Sequence, residues 1–192
     1  MELISTHRCF NGEQRRYRLH AETLHSDTTV SVYLPPAAFS AESTAAALPA
    51  LIWLSGLTCS DENAVQKAGS QRLASELGLT LVMPDTSPRG DAVPSDPEGH
   101  WDFGHGAGFY VDAEQEPWQQ HYRMASYVIE ELPAADRVKY RPKMQREIVK
   151  TQEDDGSMWD YYMNSYHKPY GVAFSLLALR PSLHASGAPP PE

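Results

Sequence analysis

The turn Ser55-Gly56-Leu57-Thr58 leaves a continuously apolar run, Leu51-Ile-Trp-Leu54. A strand that opens into a glycine turn frees backbone N–H groups from the ladder, and acyl transfer can use such groups. Each donor aimed at the carbonyl oxygen that gains charge lowers the barrier by about 3–4 kcal/mol. A tight turn with no chemistry is the structural alternative; the position of the loop, at the carboxyl end of a parallel strand, favours an oxyanion site. The nucleophile such a site would serve is missing. G-x-S-x-G, the strand–turn–helix that delivers a serine, occurs nowhere in the 192 residues.

Other residues offer chemistry with weaker support. Cys59 is either a buried, inert thiol or an accessible one beside the turn, and the bare sequence permits a Cys–His pairing with His100 or His105. Ser87, in Asp85-Thr-Ser-Pro-Arg-Gly90, stands before proline and is expected to bond its own backbone. Arg89 can pair with Asp85 or with a substrate carboxylate; the Asp85 pair is the expectation. Trp101-Asp102 and Gly104-His-Gly-Ala-Gly108 form a glycine loop in which backbones can approach closely. His105 is expected to bond loop backbone rather than act as a base. Ser157 follows its glycine too closely for an elbow and reads as a cap or turn. No histidine pair has metal-ligand spacing backed by a carboxylate, so no metal site is expected.

The elements that must position these residues are those of an α/β fold. Thr28 to Leu34 alternates and predicts an antiparallel strand, with an earlier one over Arg15 to His20. Ala37 to Ala47 reads as a surface connection. Ala50 to Leu54 and Leu79 to Met83 predict buried strands covered on both faces. Between them Ser60 or Asp61 caps a helix expected to run to about Leu77, with Gly78 as its stop. Strand, helix, strand gives a parallel right-handed crossover. Residues 84–117 are too long for a connector and predict an ordered active-site loop anchored by Trp101, Phe103, Phe109 and Tyr110. Trp118 to Leu132 keeps helical spacing up to Pro133, and Arg137 to Lys150 is basic and helix-like.

Composition narrows the function classes. The net charge of −9 disfavours nucleic acid and anionic membrane surfaces as partners. No apolar run approaches membrane length and no leader pattern opens the chain. Two cysteines, Cys9 and Cys59, make a reducing cytoplasm the expected compartment. The charge is uneven: residues 1–135 hold 8 Lys/Arg against 18 Asp/Glu, and residues 136–192 hold 8 against 7. That shift predicts a junction near residue 135.

Four blocks carry a family likeness: Leu54-Ser-Gly-Leu-Thr-Cys59, Pro84-Asp-Thr-Ser-Pro-Arg-Gly90, Trp101 to Asp112, and Tyr122-Arg-Met through Glu131-Leu-Pro133. In this order they resemble S-formylglutathione hydrolase, the esterase D family, over residues 1 to about 133. The resemblance implies the N-terminal part of a three-layer α/β-hydrolase fold, a glutathione thioester as small-molecule substrate, hydrolysis to formate and glutathione in formaldehyde detoxification, and no cofactor. It places Leu57 as a backbone oxyanion-hole donor and Gly56, Thr58, Cys59 and Trp101 on substrate-side loops. The Ser, Asp and His of the family's triad have no counterparts in the sequence, which predicts a catalytically deficient chain; His167 and His184 lie beyond the resemblance.

Residues 136–192 form an unmatched, mostly helical tail. Gln152 to Trp159 with Tyr170 to Leu179 is similar to one repeat of the squalene-cyclase and prenyltransferase toroids, and Tyr170 to Leu179 predicts a helix. Two rival readings remain: a non-catalytic binding module, whose exposed half-sheet leaves room for a homo-oligomer, and a chimeric chain.

Overall fold

The protein is seen in a computed structural model that describes residues 1–40, 48–130 and 177–179. Its sheet has the order β1-β2-β3-β5-β4-β6. β1 (Glu2–Cys9) and β2 (Gly12–Ala21) form an antiparallel hairpin. Phe10 and Asn11 turn it with φ of 45° and 61°, both left-handed as a two-residue loop of this hand requires. β3 (Ser26–Leu34) pairs antiparallel with β2 and with β5 (Thr80–Pro84). β4 (Ala50–Ile52) runs parallel to β5, and the Trp53 N–H to Val82 O bond of 2.8 Å extends the ladder beyond it. The alternating and apolar runs therefore became the strands expected of them, with β4 and β5 parallel.

Alternation along β4 and β5 feeds two cores. Leu51, Leu81 and Met83 pack with Tyr33, Ala64 and Ala74 on one face. Ile52 and Leu54 pack with Tyr110, Met124, Val128 and Ile129 on the other. Helices thus cover both faces of the strands, the three-layer α/β arrangement.

Four expectations need correction. The helix from Ser60 to Leu77 is two: α1 (Asp61–Lys67) and α2 (Gln71–Leu77). Gly69, at φ 62°, breaks the ladder between them, because a residue in the left-handed region cannot continue a right-handed helix. Ser60 caps α1 with Asn63 in a capping box, and Gly78 closes α2 at φ 63° as expected. The helix read from Trp118 begins instead with a 3-10 turn, Trp118–Gln120, and α3 starts at Met124 (Met124–Glu130). Asp112 sets that start by accepting from the Ser126 N–H at 2.9 Å and the Ser126 hydroxyl at 2.6 Å. Of the loop anchors, only Tyr110 is buried; Trp101 and Phe103 are exposed. Finally, Leu177–Leu179, the end of the helix predicted from Tyr170, is a strand, β6, antiparallel to β4. The rest of that segment and the toroid-like repeat lie outside the described residues.

Asp61, the alternative to Ser60 as the cap, is instead a buried polar anchor. Asp61 is fully buried at the first position of α1. Its carboxylate accepts from Arg16 Nε and Nη2 at 2.8 and 3.0 Å, from Thr29 Oγ1 at 2.8 Å and from Ser31 Oγ at 2.8 Å. α1 is thereby tied to β2 and β3 just after the Ser55–Cys59 turn. Among the described residues no helix is long and apolar enough to cross a membrane.

Candidate active site

β4 and β5 are parallel neighbours, so the turn after β4 and the loop after β5 emerge side by side at their carboxyl ends, where open α/β sheets place ligand sites. The two loops are bonded through one carbonyl. Cys59 O accepts from the Thr86 hydroxyl at 2.5 Å and from Arg89 Nη2 at 2.8 Å. Arg89 is held in turn by its Nε, which lies 3.1 and 3.0 Å from the two oxygens of Asp85. Burial lifts the Asp85 carboxyl above the usual range, and the Arg89 hydrogen bond and charge oppose that lift.

The glycine loop braces the same turn from its other side. Tyr110 OH donates to Ser55 O at 2.7 Å, and Gly106 O accepts the Thr58 N–H at 2.9 Å. Burial, with Asp85 and Cys59 nearby, raises the Tyr110 phenol far above its ordinary value, so it keeps its proton and stays a donor. Thr58 is held at φ 64°, a conformation that costs a β-branched residue of order 1–3 kcal/mol unless its surroundings enforce it. Gly108 lets the loop lie this close. A Cβ there would stand 2.5 Å from Thr86 O and 2.8 Å from Met124 Cγ. Gly108→Ala should therefore cost about 2 kcal/mol or more by overpacking, read as a fall in the urea midpoint. An unchanged midpoint would show that the two loops separate freely.

Within the turn the amides have different fates. Thr58 N–H goes to Gly106 O and Cys59 N–H to Gly56 O at 3.1 Å. Among the described residues no acceptor engages the Leu57 N–H. The structure thus brings Gly56, Leu57, Thr58 and Cys59 together with Asp85, Thr86, Arg89 and Tyr110. Trp101 is 55% exposed and has no hydrogen bond or ring contact to this group among the described residues.

The remaining candidates take structural partners. Ser87 is buried and its hydroxyl donates to Pro88 O at 3.0 Å. His105 Nε2 lies 3.2 Å from Val93 O, and Arg89 pairs with Asp85, both as anticipated. His100 is exposed, with Nδ1 2.5 Å from Asp96 Oδ2. Cys59 is only partly buried, between its two readings. Tyr110 and Thr86 were missed as part of the site. Aromatic content marked Tyr110 only as an anchor, and no local pattern announces a hydroxyl aimed at a carbonyl 55 residues away.

Comparison with known proteins matches this architecture. Residues 21–149 fit the Esterase family model, described as "Putative esterase". The match runs past Pro133, where the motif blocks end. The chain is 48% identical to the S-formylglutathione hydrolase of Mus musculus over 133 residues, 69% of this chain and 45% of that protein. The solved structure of an S-formylglutathione hydrolase from Agrobacterium tumefaciens superposes with a TM-score of 0.64 at 47% identity, covering 73% of this chain and 49% of the other. The chain therefore spans about half the length of these relatives.

Proposed function

Since the chain belongs to the esterase family, we propose that its described residues are the oxyanion and substrate side of a serine thioesterase of the S-formylglutathione hydrolase type. The observation that carries this is the Leu57 amide. It is unengaged at the carboxyl end of a parallel strand while the carbonyls of Ser55 and Cys59, on either side of it, are already bonded. In such a reaction a serine attacks the thioester carbonyl and the oxygen becomes an oxyanion, which Leu57 N–H would stabilise. The thiolate then leaves with a proton from a histidine, and water releases the acid from the acyl enzyme. The donor does this without reorganising, because Tyr110, Thr86, Arg89 and Gly106 already hold the turn.

These 192 residues supply neither the serine elbow nor its acid and base. On this reading the chain binds the carbonyl side of the substrate and does not complete the cycle. That sequence feature also favours a second reading, a binding module without turnover. The division into an esterase part, 1–135, and a tail, 136–192, is supported by the change of charge balance, although the family match continues to residue 149.

Titration of the 15N-labelled chain with formate, a small oxyanion, tests the site. Within residues 54–59 the Leu57 amide should shift most, saturably and at millimolar formate. A Leu57 amide that stays still while others move would overturn the assignment.

A further inference from the structure

Phe103, Trp118 and Tyr122 form one run of rings between β5 and α3. Phe103 meets Trp118 edge-to-face with centroids 4.6 Å apart, and Trp118 meets Tyr122 in the same way at 5.2 Å. The inner end of the run is fixed. Tyr122 is buried, its hydroxyl donates to Pro94 O at 2.8 Å and its N–H to Trp118 O at 2.9 Å. The outer end is open: Phe103 is 49% exposed, and Trp101, two residues earlier, 55%. The backbone that presents Phe103 is packed. At Gly104, φ 82°, a Cβ would stand 2.8 Å from both Asp96 N and Ser95 Oγ. Rings held in water by a packed backbone lose little freedom on meeting a partner, and exposed apolar surface rimmed by polar residues marks an interaction site.

Charge selects the partner. Residues 91–122 hold seven Asp/Glu and no Lys or Arg. Asp96 and Asp112 are engaged with His100 and Ser126, whereas Asp91, Asp102, Glu114 and Glu116 are exposed. Asp102 stands between Trp101 and Phe103, and Glu116 two residues before Trp118. Of the arginines that bound this stretch, Arg89 is committed to Asp85 and Cys59 O, and Arg123 follows the buried Tyr122. Aromatic faces attract cations through their quadrupole, and a planar guanidinium can both stack on a ring and fork onto a carboxylate. We propose that the face at Phe103 and Trp118, flanked by Asp102 and Glu116, docks an arginine-bearing peptide segment of a partner protein. The surface makes no use of the Leu57 turn, so its binding stands whether or not the chain hydrolyses a thioester.

The probe is the blocked peptide acetyl-Gly-Arg-Gly-Arg-Gly-amide, titrated into the full 192-residue chain labelled with 15N. Saturable shifts should centre on the Phe103 amide and the Trp118 indole N–H. The same peptide with citrulline for arginine, planar but uncharged, should bind about threefold more weakly or worse, as the loss of a cation–π contact predicts. Phe103→Leu keeps the charge of the chain and should weaken the arginine peptide to a similar degree. No binding at millimolar peptide, or shifts centred elsewhere, would overturn the proposal. Equal affinity for the citrulline peptide would show an apolar face with no need of a cation, and equal affinity of Phe103→Leu would leave only the general pull of a net charge of −9; either result also defeats it. So would a Phe103 amide that shifts on dilution of the chain alone, because the face would then belong to a second copy. Should Phe103→Leu fail to fold, the arginine–citrulline comparison on the native chain still decides.

Discussion

A fluorophosphonate probe should leave the 192-residue chain unlabelled, and neither S-formylglutathione nor 4-nitrophenyl acetate should be hydrolysed above the buffer rate by more than the little that electrostatics supplies. The expected deficit is about 10⁶-fold relative to an intact serine hydrolase, because nucleophile and base act as a unit and losing either costs nearly as much as losing both. The turn around Leu57 does not rescue this. It stabilises an oxyanion that forms only once something has attacked. The measurement is a progress curve on purified chain, with stoichiometric phosphonate labelling read by mass. Rapid turnover that titrates with one phosphonate per chain would sink the prediction and send the search to Ser87 or another buried hydroxyl.

Asp61→Ala should be the most destabilising single substitution among those considered, by about 3 kcal/mol. Asp61 is wholly buried and satisfies four donors from two strands. Its removal strands the hydroxyls of Thr29 and Ser31 and leaves Arg16 with Glu62 at 3.1 Å as its remaining partner. Breaking a buried pair from one side costs roughly 3–5 kcal/mol; Arg16 keeps some solvent, which places the value at the low end. Against a total stability of about 5–15 kcal/mol that loss is large. Glu62→Ala, which touches only the exposed side of the same arginine, should cost about 0.5 kcal/mol or less. Urea titrations of both variants make the check, and a loss under about 1 kcal/mol for Asp61→Ala would refute the account.

Both effects trace to residues that the sequence displayed unequally. β4 and β5 were legible because a strand covered on both faces is apolar at every position, and Leu51-Ile-Trp-Leu54 and Leu81-Val-Met83 have little other use. β1 was not, since most of Glu2–Cys9 is exposed and an edge strand with polar side chains has no apolar period. Gly69 hid within a helical pattern, because an isolated glycine is tolerated inside a helix at a cost of about 1 kcal/mol. The site divides the same way. The motif blocks announced the turn at Gly56 to Cys59 and the loop at Asp85 to Arg89. The bonds that join them, from Tyr110, Thr86 and Arg89 to backbone carbonyls, depend on contacts between segments distant in sequence, which no local spacing encodes.

The bonded carbonyls of Ser55 and Cys59 have a dynamic consequence. A glycine-containing turn can ordinarily rotate a peptide plane by half a revolution, exchanging the outward faces of amide and carbonyl at little steric expense. Here a flip of the Ser55–Gly56 plane would break the bond from the buried Tyr110 phenol. A flip of the plane after Cys59 would abandon both Thr86 and Arg89. Between these two held planes the Gly56–Leu57 plane is tied by Gly56 O, which accepts the Cys59 N–H at 3.1 Å, so turning the Leu57 amide around would break a third bond within the same turn.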